Sequence, residues 1–162
     1  MKGAFHLAND QMEPSRISAA EIAEINERIY EMSRTNPKIL YGREQDEGPS
    51  MRRLTAIVES IPGGEVVDQA AWLLRAIILV QPFPDANHRT AMAAATLLIE
   101  REGMGFDPPV HEAEEFQRAV SSARFQLLGG YDDAPLAVLD SADDPVLSIC
   151  RVFVERHLTK RL

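Results

Sequence analysis

The chain has 162 residues, 45% of them hydrophobic and 26% charged, so the composition predicts a single globular domain over residues 1–162 with a substantial core. The formal net charge of −8 argues against nucleic-acid binding, which needs a broad basic surface, but leaves a local site for a small anion open. Cys150 is the only cysteine, and the sequence shows neither an apolar signal segment nor a run of about 20 apolar residues. We therefore expect a cytoplasmic protein that contacts no membrane.

The first predicted helix covers residues 18–33. Ser18 and Glu21 form a capping box, after which apolar residues recur at helical spacing. Residues 35–50 then interrupt the helical pattern with two prolines and two glycines. Their apolar centre lies between turn residues, which favours either a small β-hairpin or an extended flap. It consists of Ile39, Leu40 and Tyr41.

A short helix is predicted at residues 51–61, and four further helices follow it. Residues 65–80 are apolar on nearly every side, and a second buried helix with an alanine-rich face follows the polar loop 81–90. A fifth helix covers residues 111–125, and Asp144 followed by Pro145 marks the start of the last. The pattern predicts an all-α fold of about six helices around a central buried helix pair, with a small hairpin or flap.

The polar loop at residues 81–90 reads Q-P-F-P-D-A-N-H-R-T. It precedes a helix, and the free N–H groups and the dipole of a helix start favour a phosphate group. Arg89 can offer two parallel hydrogen bonds to phosphate oxygens, and Asp85 is a ligand suited to Mg²⁺. Asn87 can either contact phosphate or hold the loop closed, and Phe83 is expected to anchor the loop in the core.

A simpler interpretation of the same residues involves no ligand. Asp and Asn are common at helix starts, Pro and Asn are common in turns, and exposed Arg and His side chains are often only solvated. In that case Asp85 or Asn87 would cap the helix and the loop would have a purely structural role.

The longer segment Q-P-F-P-D-A-N-H-R-T-A-M-A-A-A-T-L-L-I-E-R-E-G resembles the Fic/Doc signature H-x-F-x-[DE]-[GA]-N-[GK]-R. It is closest to the Doc branch, the death-on-curing toxins, because D-A-N-x-R-T-A matches and no second arginine follows three positions after Arg89. The resemblance implies a Fic fold that binds ATP with Mg²⁺ and transfers AMP or phosphate to a Ser, Thr or Tyr hydroxyl of a target protein.

The resemblance also assigns roles to individual residues. Asp85 corresponds to the metal-binding acid, and Phe83 to the core anchor. Gln81, Asn87 and Arg89 stand at catalytic positions. The residues that correspond to the nucleotide- and phosphate-binding turn are Ala86, Asn87, His88 and Arg89. The flap at Ile39, Leu40 and Tyr41 would dock the target by strand addition.

Two residues depart from the family pattern. Gln81 stands where the family has the histidine that serves as general base, and His88 stands where relatives have Gly or Lys. An amide accepts no proton near neutral pH, so we expect a slowed enzyme or, alternatively, a nucleotide- or partner-binding pseudoenzyme. An attenuating substitution in a toxic protein is a third interpretation. Residues 55–60 match the family's inhibitory helix only in part, so an antitoxin-like inhibitor is expected from another chain.

Overall fold

The computed structural model describes residues 17–43, 47–129, 134–141 and 143–160. Six α-helices form most of this part of the chain, which confirms the predicted all-α class. They are α1 (Ala19–Thr35), α2 (Met51–Ser60), α3 (Val66–Val80), α4 (Asn87–Arg101), α5 (Val110–Leu128) and α6 (Pro145–His157). None of these helices has the length and apolar character needed to cross a bilayer.

Helices α3 and α4 form the predicted central pair. Residues 70–80 of α3 are all buried, α4 packs against α3, and three alanines of α4, Ala91, Ala94 and Ala95, are fully buried. Small side chains allow close approach of the helix axes, and each large apolar side chain buried along α3 contributes about 1.5–3 kcal/mol. Helix α6 packs on α3, while α1 packs on α4.

The helix starts follow the signals in the sequence. The Ser18 hydroxyl accepts from the Glu21 N–H at 3.1 Å, and the Glu21 carboxylate accepts from the Ser18 N–H at 3.2 Å, which completes the predicted capping box. At α6, the Asp144 carboxylate accepts from the Leu147 N–H at 2.8 Å, with Pro145 at the first helical position. Each cap satisfies N–H groups that a helix start otherwise leaves unpaired.

One small sheet accompanies the helices in the described residues. Strand β1 (Met104–Phe106) pairs antiparallel with β2 (Leu158–Lys160), so the end of the described chain returns to the exit of α4. No strand lies in residues 36–43 or 47–50, where a hairpin and an extended flap were the two alternatives. The described part of that segment is an irregular flap. Strands of three residues are too short to produce a visible alternating pattern, so β1 and β2 could not be predicted from the sequence.

A buried ion pair joins α3 to α6. The Arg75 Nε donates to the Asp144 carboxylate at 2.6 Å, and its Nη2 donates to the carbonyls of Val138 and Ser141. The side chains of Arg75 and Asp144 are 1% and 7% exposed, and the guanidinium also stacks on the Trp72 ring. Arg75 therefore fixes both α6 and the short 3-10 helix Leu136–Asp140 against the centre of the fold.

We predict that Arg75→Met lowers the free energy of unfolding by about 3–5 kcal/mol, because it leaves the Asp144 carboxylate buried without its charge partner. Urea denaturation followed by circular dichroism measures the change. Arg28→Met is the matched control, since Arg28 pairs with Glu24 on the surface and should contribute less than about 1 kcal/mol. Equal effects of the two substitutions would contradict the structural role of Arg75.

Candidate functional site

The loop between α3 and α4 begins and ends with unusual backbone conformations. Gln81, which ends α3, has φ 49°, and Ala86, which precedes α4, has φ 60°. They are the only non-glycine residues with positive φ in the described chain. Such conformations cost on the order of 1–3 kcal/mol each and persist only where the surrounding structure imposes them. The chain is therefore held in this loop shape by its contacts.

Asn87 supplies the main contacts that close the loop. Its Oδ1 accepts from the Phe83 N–H at 3.1 Å, and its Nδ2 donates to the Phe83 carbonyl at 3.0 Å. Phe83 itself is buried in the core cluster, as expected for an anchor. Of the two roles considered for Asn87, the structure shows closure of the loop, and this amide is committed to the protein backbone.

The tip of α4 carries no side-chain cap. Ala86 is the N-cap residue, and no described residue accepts from the N–H groups of residues 87–89 through its side chain. The Asp85 Oδ1 accepts from the Ala86 N–H at 2.6 Å, one residue before the helix. Neither Asp85 nor Asn87 therefore caps α4 through its side chain. The tip keeps donors and partial positive charge for an anion.

Asp85 and Arg89 both face residues 40–42, which we call the flap strip. The Gly42 N–H donates to the Asp85 Oδ2 at 2.7 Å. The Arg89 Nη2 donates to the Leu40 carbonyl at 2.6 Å. The acid and the guanidinium that the sequence singled out thus lie on one side of the α4 tip, beside the same three residues of the flap.

A buried amide on α1 connects the loop to the flap strip. Asn26 is 3% exposed, and its Nδ2 donates to the Asp85 carbonyl and to the Thr90 Oγ1, each at 3.0 Å. The Tyr41 hydroxyl donates to the Asn26 Oδ1 at 2.7 Å. Burial raises the pKa of Tyr41, so this hydroxyl keeps its proton and remains a donor at neutral pH. Asn26 thus contacts three separate parts of the site.

His88 follows Asn87 in the first turn of α4. It lines a cleft of 510 Å³ between α4 and the segment that leads from β1 into α5, together with Phe106, Pro108 and Phe116. Burial, with a smaller contribution from the Arg124 guanidinium, lowers the pKa of His88 below the ordinary value of 6.5. The imidazole is therefore neutral at pH 7 and can offer one hydrogen bond but no positive charge.

A profile of the Fic/DOC family matches residues 16–99 of the chain. The chain belongs to the Fic/DOC family. The matched range contains α1 with Asn26, the flap and the loop with most of α4, which are the parts that form the site described above. No curated protein and no solved structure matches the chain. Family membership indicates nucleotidyl transfer in general, and Fic proteins generally use ATP with Mg²⁺.

Two arginines of the Fic/DOC protein that sequence reasoning missed hold the end of α3. The buried Arg124 donates to the Leu79 carbonyl at 3.2 Å, and Arg53 donates to the Val80 carbonyl at 3.1 Å. These are among the last carbonyls of the helix, which have no partner within it. Both arginines bring positive charge to the loop although the whole chain is strongly acidic.

Asn26 was also missed, although the sequence contained a sign of it. It follows Ile22 by four positions, so it occupies the buried stripe of α1 where an apolar residue is expected. Gln81 differs from Asn26, because the sequence singled it out but the structure shows no partner for its side chain among the described residues. Its side chain makes no hydrogen bond to any described residue of the Fic/DOC domain, so its position at the end of α3 is known but no contact assigns it a task.

We predict that Asn87→Ala lowers the free energy of unfolding of the Fic/DOC protein by about 1–3 kcal/mol, because both buried backbone groups of Phe83 lose their partner. Thermal and urea denaturation measure the loss. Asn36→Ala is the control, since the Asn36 side chain accepts only one exposed bond, from the Lys38 N–H to its Oδ1. A loss no greater than that of the control would show that Asn87 does not hold the loop.

Proposed function

We propose that this Fic/DOC protein binds Mg²⁺-ATP at the tip of α4 and transfers phosphate or AMP to a hydroxyl of a target protein. One observation carries the proposal: the side chains of Asp85 and Arg89 face one flap strip beside a helix tip without a side-chain cap. Donors on a helix tip, an adjacent guanidinium and an adjacent carboxylate together suit a phosphate chain neutralised by a cation.

The Asp85 carboxylate fits a magnesium ion that is shared with phosphate. The described residues contain no group of three His, Cys, Asp or Glu side chains that could hold a metal by itself. Mg²⁺ usually takes only one or two carboxylates and completes its shell with phosphate oxygens and water. Each Asp85 oxygen accepts one N–H bond and retains a further lone pair. A bound Mg²⁺ would neutralise charge on the phosphate oxygens.

Arg89 can hold phosphate without leaving the flap. Its bond to the Leu40 carbonyl is made by Nη2, and a guanidinium has five donors in a planar fork. The remaining donors can reach phosphate oxygens while the flap contact persists. Charge-assisted hydrogen bonds of this kind contribute about 1.5–3 kcal/mol each, so Arg89 can add substantially to the binding of the anion.

Within the family, we assign the protein to the Doc branch and phosphate as the transferred group. The loop reads D-A-N-H-R-T-A, and the bulky His88 takes the place of the glycine that lets a phosphate approach the backbone in AMP-transferring relatives. The half-buried position of His88 against the 510 Å³ cleft keeps its side chain next to the α4 tip. This crowding supports a phosphate pose that differs from that of AMP transfer.

In the proposed step, the hydroxyl oxygen of the target attacks the γ-phosphorus, and the bond from that phosphorus to the β-γ bridging oxygen breaks. ADP leaves, whereas AMP transfer would release pyrophosphate from an attack on the α-phosphorus. Gln81 cannot take the hydroxyl proton, which passes to water instead. Loss of a positioned base typically slows a reaction about 10²–10⁴-fold, but phosphoryl transfer depends mainly on positioning and charge. Gln81 can still orient the hydroxyl through a hydrogen bond.

The flap offers an edge for the target. The Leu40 carbonyl and the Gly42 N–H face Arg89 and Asp85. When a target draws residues 40–42 into a strand, the alternation of a strand directs the backbone groups of Tyr41 to the opposite edge. Leu40 is 77% exposed beside a groove of 440 Å³ that Ile39 also lines. An extended target segment can pair with this edge and place an apolar side chain in the groove.

A second candidate function is a catalytically inactive module that binds a nucleotide or a protein partner. The observation in its favour is Gln81: the proton acceptor is missing, while Asp85 and Arg89, the residues proposed to hold metal and phosphate, are present. An antitoxin-like inhibitory partner is a proposal under either function, and the exposed groove beside Leu40 is the surface we assign to it.

We expect isothermal titration to show Mg²⁺-ATP binding that weakens about 10- to 100-fold in Arg89→Ala, because one or two charged hydrogen bonds to phosphate are lost. Arg101→Ala is the matched control: Arg101 lies at the other end of α4 and pairs with Glu21. Unchanged affinity in Arg89→Ala, or equal weakening in both variants, would refute the proposed site.

We expect Gln81→His to increase transfer from labelled ATP to protein in a cell lysate about 10²–10⁴-fold over the unaltered chain, because a proton acceptor is restored. Label on the γ-phosphate reports phosphate transfer, and label on the α-phosphate reports AMP transfer. Gln69→His, on a different part of α3, controls for an added histidine. Retained ATP binding without transfer by either chain would favour the binding module.

A further inference from the structure

Asn26 is a polar residue in a place that packing alone would fill with an apolar one. It is 3% exposed on the inner face of α1, where an unsatisfied amide would cost several kcal/mol. Its amide is well satisfied, since both Nδ2 hydrogens and the Oδ1 have partners within 3.0 Å. All of these partners belong to the flap strip, the loop or the first turn of α4.

These contacts form a closed ring of hydrogen bonds and chain that includes the Asp85 carboxylate. Asn26 donates to the Asp85 carbonyl, and the Asp85 Oδ2 accepts from the Gly42 N–H. Gly42 follows Tyr41 in the chain, and the Tyr41 hydroxyl donates back to the Asn26 Oδ1. We call this the Asn26 ring. It holds the backbone of Asp85 at one point and its carboxylate at another.

We propose that Asn26 is a positioning residue that orients the Asp85 carboxylate for a divalent cation by means of this ring. The inference rests on the proposed Mg²⁺-nucleotide function and adds to it a residue that contacts neither the cation nor the nucleotide. Asn26 acts only through Asp85, Tyr41 and, at the start of α4, Thr90.

The geometry explains why such an orientation matters. The two Asp85 oxygens accept from the Ala86 and Gly42 N–H groups at 2.6 and 2.7 Å, so rotation of the carboxylate is restricted. Its remaining lone pairs then point in fixed directions. Hydrogen bonds to a ligating carboxylate tune its metal affinity, and their removal typically costs 10- to 100-fold. The Gly42 contact depends on Tyr41, whose hydroxyl the Asn26 ring holds in place.

Tyr41→Phe tests the Asn26 ring with the smallest change. It removes one hydroxyl and keeps the aromatic contact with Tyr30, whose ring centroid lies 5.2 Å from that of Tyr41. We expect amide hydrogen exchange of Gly42, followed by NMR in the protein without ligand, to become about three- to tenfold faster. We also expect about a tenfold increase in the Mg²⁺ concentration that half-saturates ATP binding. ATP binding without Mg²⁺ should stay the same.

Tyr30→Phe is the matched control, because it removes a hydroxyl from the same aromatic pair outside the Asn26 ring. It should alter neither Gly42 exchange nor the Mg²⁺ requirement. Asn26→Ala should reproduce both effects more strongly, and adding Tyr41→Phe to it should have little further effect because both residues act through one ring. If Asn26→Ala does not fold, Tyr41→Phe alone decides the question.

The outcomes separate this inference from the proposed function. An unaltered protein that binds no Mg²⁺-ATP overturns both. An unaltered protein that binds Mg²⁺-ATP, with Tyr41→Phe needing no more Mg²⁺ than Tyr30→Phe, overturns only the role of Asn26. A weaker affinity of Tyr41→Phe for ATP in the absence of Mg²⁺ also overturns it, because the hydroxyl would then affect the whole pocket and not the carboxylate.

Discussion

The pair of hydrogen bonds between Asn87 and the backbone of Phe83 is the constraint on which the site depends. The central helices α3 and α4 are fixed by their packing, and the chain has only a few residues in which to leave one and enter the other. Two left-handed residues make this turn possible, and the buried Phe83 anchors it. The result is an α4 tip whose N–H groups are not used by a cap. The acid and the guanidinium then lie beside that tip because they precede and follow it by one or two residues.

The sequence was sufficient to predict the helical fold. Helices that carry a strong apolar stripe and a recognisable start, such as the one after Ser18 and the one after Asp144, begin where the sequence predicted. Local pattern decides such elements. The sheet between β1 and β2 could not be predicted, because it joins residues more than fifty positions apart through strands of three residues each.

The residues of the candidate site that are close in sequence were identified in advance, whereas those that come from distant helices were missed. Asp85, Asn87 and Arg89 are close in the chain, so their meeting at one helix start followed from spacing. Asn26, Arg53 and Arg124 reach the same place from three other helices, and only the packing of those helices brings them there. In the sequence, only the polar Asn26 on the apolar stripe of α1 indicated such a contact. That pattern marks Asn26 as unusual but does not predict which residues it contacts. The functional roles of Asp85 and Arg89 in binding metal and phosphate stay predictions, as do those of Gln81 and His88.

The flap strip has two edges, and this has a thermodynamic consequence. Its inner edge contacts the groups assigned to the cation and the phosphate, while its outer edge is the surface assigned to the target. A peptide that stiffens the outer edge would also reduce the freedom of the inner one, so the two binding events would be cooperative. Linkage requires the effect to be reciprocal: whatever the target contributes to nucleotide affinity, the nucleotide contributes equally to target affinity. A protein built this way would favour the complete ternary complex over either binary one.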